Sequence, residues 1–334
     1  MYNIANLSNK DRNALFSKYE NDFGINKAIV EKDFWVTFLL DYLFHKSKFK
    51  DYFIFKGGTS LSKCFNLISR FSEDIDLILK WNYLTDDDPN NERSNTKQLK
   101  YNEEINRLAQ EFLKNEFVPT LSNELKELIN DDFKLEINPL EPQTVNFSYP
   151  RLFNASDAGI LQYIKLEIGP LAALTPTEIT TISPLIKDLN LPLLTYDSTS
   201  IETVSVIRTF WEKVTILHQE AHRPETTQMP SRYSRHYYDI YCIGHSKYKD
   251  LALADLKLLK TVASFKKKFY PRNWAKYDEA YPTTLKLLPP KYRYKALEDD
   301  YISMQEMIYK GAPTFSEIMN YIKQLENEIN SLIK

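Results

Sequence analysis

Asp74-Ile75-Asp76 sets two carboxylates two residues apart, and in an extended chain that spacing puts both on one face. Like charges so placed repel each other, and folding gains nothing from such an arrangement on a half-buried strand. A divalent cation would neutralise the pair, and Mg²⁺ or Mn²⁺ favours hard oxygen ligands of this kind. Taken alone, an Asp-x-Asp is also what an exposed edge strand with two solvated acids looks like. Upstream stands Gly57-Gly58-Thr59-Ser60, in a chain of 334 residues with only seven glycines. Two adjacent glycines directly after an apolar run let the backbone approach a ligand closely and adopt positive φ. A helix starting at Ser60 or Leu61 would aim free backbone N–H groups into the same space, with the hydroxyls of Thr59 and Ser60 and the charges of Lys56 and Lys63 nearby. That set suits a phosphate, although an isolated Gly-Gly is more often just a turn.

Several elements must position these groups. Tyr52-Phe53-Ile54-Phe55 reads as a buried strand that ends at the glycine pair, residues 61–67 as a short helix, and residues 75–79 as a second strand. Asn26 is placed to cap a helix to about residue 46, in which Ile29, Phe34, Trp35, Phe38, Leu39 and Tyr42 recur at helical spacing. Glu31, Lys32 and Asp33 in that helix are three consecutive charges that cannot share one face, so at least one points toward other structure; we read them as supports of the site's wall. Residues 81–95 read as an exposed loop and residues 96–116 as a helix. Residues 133–137, 145–149 and 163–168 read as strands. From Ser205 the pattern is helical almost to the C-terminus, punctuated by prolines at 271, 282, 289, 290 and 313. The expected layout is a mixed α/β front half, residues 1–200, and a helical back half, residues 201–334.

Strand, Gly-Gly-Thr-Ser turn, short helix and Asp-x-Asp strand together resemble the signature of the DNA polymerase β nucleotidyltransferase superfamily. The turn-to-Asp-x-Asp spacing is slightly longer than in many members. The resemblance implies that Gly57, Gly58, Thr59 and Ser60 hold a nucleoside triphosphate and that Asp74 and Asp76 hold metal. It also implies a third carboxylate on a neighbouring strand, for which Glu167 in Ile164-Lys165-Leu166-Glu167-Ile168 is the candidate. Further segments are similar to the AbiEii/AbiGii toxin family: Val30-Glu31-Lys32-Asp33-Phe34-Trp35-Val36-Thr37, Arg70-Phe71-Ser72-Glu73-Asp74-Ile75-Asp76-Leu77, Arg208-Thr209-Phe210-Trp211-Glu212-Lys213, Arg232-Tyr233-Ser234-Arg235-His236-Tyr237-Tyr238-Asp239 and Leu287-Leu288-Pro289-Pro290. This likeness spans nearly the whole chain. It implies an α+β fold, with a polymerase-β-like core around a mixed sheet followed by a helical C-terminal domain that contributes Lys213 and Asp239 to the site. It also implies the toxin of a toxin–antitoxin or phage-defence (abortive-infection) system, with a cognate antitoxin partner. Related toxins of the MenT group add nucleotides to the 3′ end of tRNA, which makes tRNA the expected acceptor.

The later motifs have a physical reading of their own. Lys213 flanks the buried stripe Phe210, Val214 and Leu217 of a helix over residues 207–221. From there it either reaches inward to NTP phosphates as a point charge or salt-bridges a neighbour on the surface. Asp239 either orients that lysine, or takes part in proton transfer from the acceptor hydroxyl, or is a structural carboxylate paired with Arg235. His236, beside aromatic residues, reads as structural rather than as a base, and Trp211 and Tyr237 read as core rather than as stacking platforms.

Composition narrows the class. Cys64 and Cys242 are the only cysteines, which excludes a disulfide framework and a cysteine-rich zinc site. No signal sequence and no apolar run of membrane-spanning length is evident, so a cytoplasmic protein without membrane association is expected. Residues 256–296 hold eleven Lys or Arg against two acids, a net +9, which leaves −11 on the rest of a chain whose total is −2. With Phe265, Phe269, Tyr270 and Trp274 interleaved, that segment suits an RNA backbone and stacked bases, or else is merely a solvated lysine-rich face. Two rival functions stay open: nucleotidylation of a protein or small molecule, and a non-catalytic module that binds NTP or a partner.

Overall fold

The structure, a computed structural model, describes residues 1–154, 160–191, 198–305, 307–309 and 311–333. The chain divides into two compact units: unit 1 comprises Met1–Cys64 and Phe71–Thr203, and unit 2 comprises Phe65–Arg70 and Val204–Lys334.

Unit 1 begins with helices α1 (Tyr2–Ala5), α2 (Asn9–Phe23) and α3 (Lys27–His45). The Asn26 side chain accepts from the Ala28 N–H and so caps α3 at its expected start. The next elements are β1 (Phe53–Lys56), α4 (Gly57–Lys63), β2 (Ile75–Leu79), α5 (Asn95–Phe112) and α6 (Val118–Lys126). They are followed by β3 (Lys134–Ile137), β4 (Thr144–Ser148), β5 (Ile164–Gly169), β6 (Thr177–Ile182) and β7 (Thr199–Val204). The strands form one mixed sheet in the order β3-β4-β5-β2-β1-β7-β6. β2 is antiparallel to β1 and parallel to β5, and β4 is antiparallel to β3 and β5. Alternation sets Ile75, Leu77 and Leu79 of β2, Val145 and Phe147 of β4, and Ile164, Leu166 and Ile168 of β5 into the core with α3. Asp76 and Glu167 therefore project from the opposite face.

Three expectations change. α4 starts at Gly57 itself, not near residue 61, so the glycine pair is the helix's first turn. The helix expected to end near residue 116 continues through a π-helical segment, Leu113–Phe117, into α6. Pro119 lacks an N–H donor, and it falls where the hydrogen-bonding pattern already shifts. Finally, β6 and β7, six residues each and rich in Thr and Glu, extend the sheet beyond β1, where no strand was expected.

Unit 2 comprises α7 (Val206–Ala221), α8 (Ser234–Gly244), α9 (Tyr248–Leu253), α10 (Leu256–Phe269), α11 (Tyr294–Gln305) and α12 (Phe315–Asn330). α7 packs against α8, α9 and α10 through Phe210, Trp211, Val214 and Leu217, all fully buried. Residues 65–70 join this unit through backbone pairing. Arg70 bridges Ile308 in antiparallel fashion, the Ser69 carbonyl accepts from Tyr309 N–H at 3.1 Å, and Ser69 N–H donates to the Tyr238 hydroxyl at 3.2 Å. No helix among the described residues is long and apolar enough to cross a membrane.

Candidate active site

The carboxylate cluster of unit 1 is built by strand register. Asp76 of β2 stands directly opposite Glu167 of β5, and Lys56 of β1 is opposite Asp76 on its other side. Asp74 lies two residues before Asp76, across the buried Ile75. Burial would lower the Lys165 ammonium, but Glu141, bonded at 2.9 Å, together with the charges of Glu167 and Asp74, raises it above its usual range. Asp76 and Glu167 line a cavity of about 350 Å³ together with Lys56, Gln110, Gln143 and Thr144. A larger cavity of about 720 Å³, lined by Arg12, Lys134, Tyr149 and Arg151 among others, contains none of these acids. Chemistry rather than volume therefore places the candidate site.

Gly57 is required here for a reason that the sequence did not reveal. Its φ is +87°, and a Cβ built on it would stand 1.8 Å from Asp76 Oδ2. The space that glycine leaves is filled by the carboxylate of Asp76, within unit 1 itself. The hydroxyls of the same segment are engaged as well. Thr59 Oγ1 donates to the Asp74 carbonyl and lies 3.0 Å from Ser72 Oγ, while Ser60 Oγ donates to the Gly57 carbonyl at 2.9 Å. Both residues are buried. Thr59 thus fixes the backbone that carries Asp74, a role different from the phosphate contact expected of its hydroxyl.

The donor set suits a hard cation, since two carboxylates reach one polar cavity from adjacent strands. Among the described residues no three His, Cys, Asp or Glu side chains stand close enough to hold an ion by themselves. A Mg²⁺ ion bound by one or two carboxylates normally completes its shell with water and substrate phosphates, and the arrangement fits that mode.

The three charges of α3 are all buried, each tied to a different segment. Glu31 accepts from the Leu152 and Phe153 N–H groups, and burial raises its pKa to about 7 against the pull of these bonds and of Arg12 and Arg151. Lys32 donates to Glu73 at 2.6 Å and to the Leu161 carbonyl at 2.8 Å. Asp33 accepts from Leu185 N–H at 2.7 Å and from Lys63 of α4. The sequence indicated only that at least one of the three turns inward. α3 is enclosed on every side, and its charges anchor both α4 and the residue preceding Asp74.

In unit 2, Arg70 grips Asp239 with two bonds, Nε to Oδ1 at 2.8 Å and Nη2 to Oδ2 at 2.9 Å, while Lys213 Nζ lies 2.7 Å from Oδ2. Burial alone would raise the Asp239 pKa, yet the two cations hold it well below the usual carboxylate range. Burial lowers the Lys213 ammonium, opposed by Asp239. Asp239 is therefore paired with Arg70 and Lys213, not with Arg235, and a carboxylate so stabilised is a poor proton acceptor. Arg70 is the member of this trio to which the sequence assigned no role, although it opens the Arg70–Leu77 motif. His236 is enclosed, and burial with repulsion from Lys213 and Arg235 holds it neutral. Trp211 and Tyr237 are core residues.

The basic segment is less open than its composition suggests. Phe269 is buried and packs on Phe265 at 4.4 Å, and Trp274 lies under Arg223 at 4.8 Å. Lys267 pairs with Asp278, Lys276 with Glu279 and Lys295 with Asp299. Tyr270, 47% exposed, is the ring of the four that faces outward most.

The family model of the nucleotidyl transferase AbiEii toxin of type IV toxin–antitoxin systems matches residues 39–321. No curated protein matches. Among solved structures, MenT4, a nucleotidyltransferase toxin from Mycobacterium tuberculosis H37Rv, is 14% identical at a TM-score of 0.46, over 98% of this chain and 100% of its own. A protein assigned as a nucleotidyltransferase from H. pylori is 12% identical at a TM-score of 0.43, over 93% of this chain and 100% of its own. Likenesses of that size lend no detail of chemistry.

Proposed function

The chain belongs to the AbiEii nucleotidyl transferase toxin family, and from that premise we propose that it transfers a nucleotide from an NTP to the 3′ end of tRNA, with Asp74, Asp76 and Glu167 serving a divalent cation. The observation that carries this reading is the register of Asp76 against Glu167, which sets two carboxylates on neighbouring strands at the wall of one polar cavity. Mg²⁺ or Mn²⁺ bound there would lower the pKa of the attacking hydroxyl and neutralise phosphate charge. The chain's own residues supply position and charge. Gly57 gives Asp76 its seat, Thr59 and the Lys32–Glu73 pair fix the backbone at Asp74, and Lys56 sets an ammonium beside the acids. The start of α4, residues 57–60, is the proposed triphosphate contact through its backbone. Lys213 is proposed as a further phosphate ligand, with Asp239 as the residue that positions it. A cognate antitoxin is the proposed protein partner.

The test is to incubate the full chain with Mg²⁺, total tRNA and each α-labelled NTP in turn, beside Asp76→Ala. Label should appear on tRNA with one or two nucleotides and vanish in the variant. Transfer that survives Asp76→Ala removes the carboxylate assignment. Label on protein or on a small molecule, with none on RNA, removes tRNA as acceptor.

A further inference from the structure

Resting on that proposed reaction, we infer that Lys165 is a further phosphate ligand of the site, whose ammonium takes the triphosphate of the NTP beside Asp74. Lys165 and Glu167 lie two residues apart on β5, so both project from the face of the sheet that carries Asp76. β5 pairs with β2 in parallel, Ile75 against Leu166 and Asp76 against Glu167. One residue back along this register, Asp74 falls beside Lys165. The charges of Asp74 and Glu167 both act on its ammonium. On its other side stands Asn146 of β4, which is uncharged. Lys56 holds the matching place on β1, opposite Asp76. Two lysines thus bracket the Asp-x-Asp pair diagonally, one from each strand that adjoins β2.

The Lys165 ammonium is anchored without being used up. Its Nζ donates at 2.9 Å to Oε2 of Glu141, an acid between β3 and β4 whose side chain is 52% exposed. An ammonium carries three donors, and among the described residues no second hydrogen bond takes the other two. The Lys165 side chain also stays 19% exposed, in contrast to Lys32, which is enclosed and bonded to both Glu73 and the Leu161 carbonyl. A Mg²⁺ ion held by Asp74, Asp76 and Glu167 would draw substrate phosphates to its open positions. A triphosphate brings more negative charge than one divalent ion neutralises. Lys165 offers it two directed N–H groups next to two of those carboxylates, and such charge-assisted bonds are the strong ones. Glu141 acts through Lys165 and is thus a positioning residue.

The experiment titrates inorganic triphosphate with Mg²⁺ onto the full chain, wild type beside Lys165→Met, Lys165→Arg and Glu141→Gln. Lys165→Met should weaken binding about 10- to 100-fold, the range of one hydrogen bond to a charged group, and raise KM for the NTP in step. Lys165→Arg keeps a cation with donors and should recover most of the loss. Glu141→Gln keeps an acceptor for Lys165 and removes a competing charge, so it should bind triphosphate at least as well as wild type. Mn²⁺ binding without triphosphate, read by electron paramagnetic resonance, should not weaken in Lys165→Met. The inference falls if Lys165→Met binds triphosphate as wild type does, or if wild type binds none. It falls equally if Glu141→Gln is as impaired as Lys165→Met, because the pair would then only brace the segment between β3 and β4. Absence of labelled RNA with wild type overturns the proposed reaction, while the triphosphate titration still decides the role of Lys165.

Discussion

Asp76 and Asp239 are aspartates at the centre of a charge cluster, one in each unit, and their surroundings differ in kind. Asp76 faces a polar cavity from the middle of a sheet, beside a second carboxylate and over a glycine that makes room for it. Asp239 is fully enclosed, and its two oxygens take three contacts from Arg70 and Lys213. Removing a charge from the first cluster relieves repulsion and costs the fold little. Removing Asp239 strands two cations in the interior. Juxtaposed like charges on the wall of a cavity suit a cation from solution, whereas the buried trio balances its charges within the fold. The first arrangement leaves its carboxylates open to a cavity, and the second holds Lys213 and Arg70 in place by charge.

Two substitutions can break that contrast. Asp76→Ala should reduce nucleotide transfer by 10³-fold or more while the urea midpoint stays within the ordinary range of surface changes, about 0.5 kcal/mol. A large loss of stability would mean that the carboxylate is structural. Asp239→Ala should cost about 3–5 kcal/mol, because Arg70 and Lys213 lose their counter-charge in a buried place. Urea unfolding followed by the fluorescence of Trp211 and Trp274, both in unit 2, would read this. An unchanged midpoint would show that water reaches the trio and that its closure is not what holds it.

Gly57→Ala sharpens the same comparison from the backbone side. The new methyl would overlap Asp76 Oδ2, and the residue would keep a φ of +87° that alanine disfavours. Transfer should fall about 10²-fold as Asp76 shifts, with a stability cost of about 1–2 kcal/mol. Gly169 lines the same cavity, has open space where its Cβ would lie and needs no positive φ, so Gly169→Ala should leave the fold intact. Equal effects at both positions would mean that crowding of the cavity, not the seat of Asp76, explains the loss.

How much of this was legible in the sequence depended on whether the deciding partner was local. β1, β2 and the Asn26 cap follow from neighbours a few residues away, and they stand where the pattern put them, whereas Asp74 falls just before β2 and outside the lining of the cavity that Asp76 faces. Glu167 was placed by strand alignment, and its register against Asp76 is now seen directly. The use of Gly57 could not be read, because a glycine pair looks the same whether a ligand or a side chain fills the space. For Glu31, Lys32 and Asp33 the sequence required only that at least one turn toward other structure. Their partners lie at Leu152, Glu73 and Leu185, far along the chain. Arg70 meets Asp239 across 169 residues, and only the fold shows why residues 65–70 leave unit 1. For the basic segment, composition could not show that Phe269 is core or that several of the lysines pair with acids.

The smallest effect predicted concerns pH, and it runs in opposite directions in the two units. Glu31 in unit 1 has a pKa raised from 4.5 to about 7, chiefly by burial and against the pull of the Leu152 and Phe153 N–H groups, Arg12 and Arg151. A carboxyl so shifted prefers its neutral form, so its penalty is absent below pH 4.5, grows as pH rises and is complete above 7. His218 in unit 2 is lowered from 6.5 to about 4, again chiefly by burial, with repulsion from His222 added and Glu279 opposing. Its ring is held neutral, with Nε2 3.0 Å from the Lys276 carbonyl and Nδ1 accepting from Lys286 N–H at 3.1 Å. That penalty is absent above 6.5 and grows as pH falls toward 4. Unit 1 should therefore lose about 1–2 kcal/mol between pH 5 and 8 through Glu31, and unit 2 should lose a similar amount between pH 7 and 4.5 through His218. Urea midpoints at these pH values should show a flatter rise-side loss in Glu31→Gln and a flatter acid-side loss in His218→Gln. A Glu31→Gln chain that keeps the wild-type slope would mean that Glu31 is ionised and satisfied in the fold. The buried charges of α3 would then form a complete cluster like the one around Asp239, and the difference between the units would rest on the cavity of Asp76 and Glu167 alone.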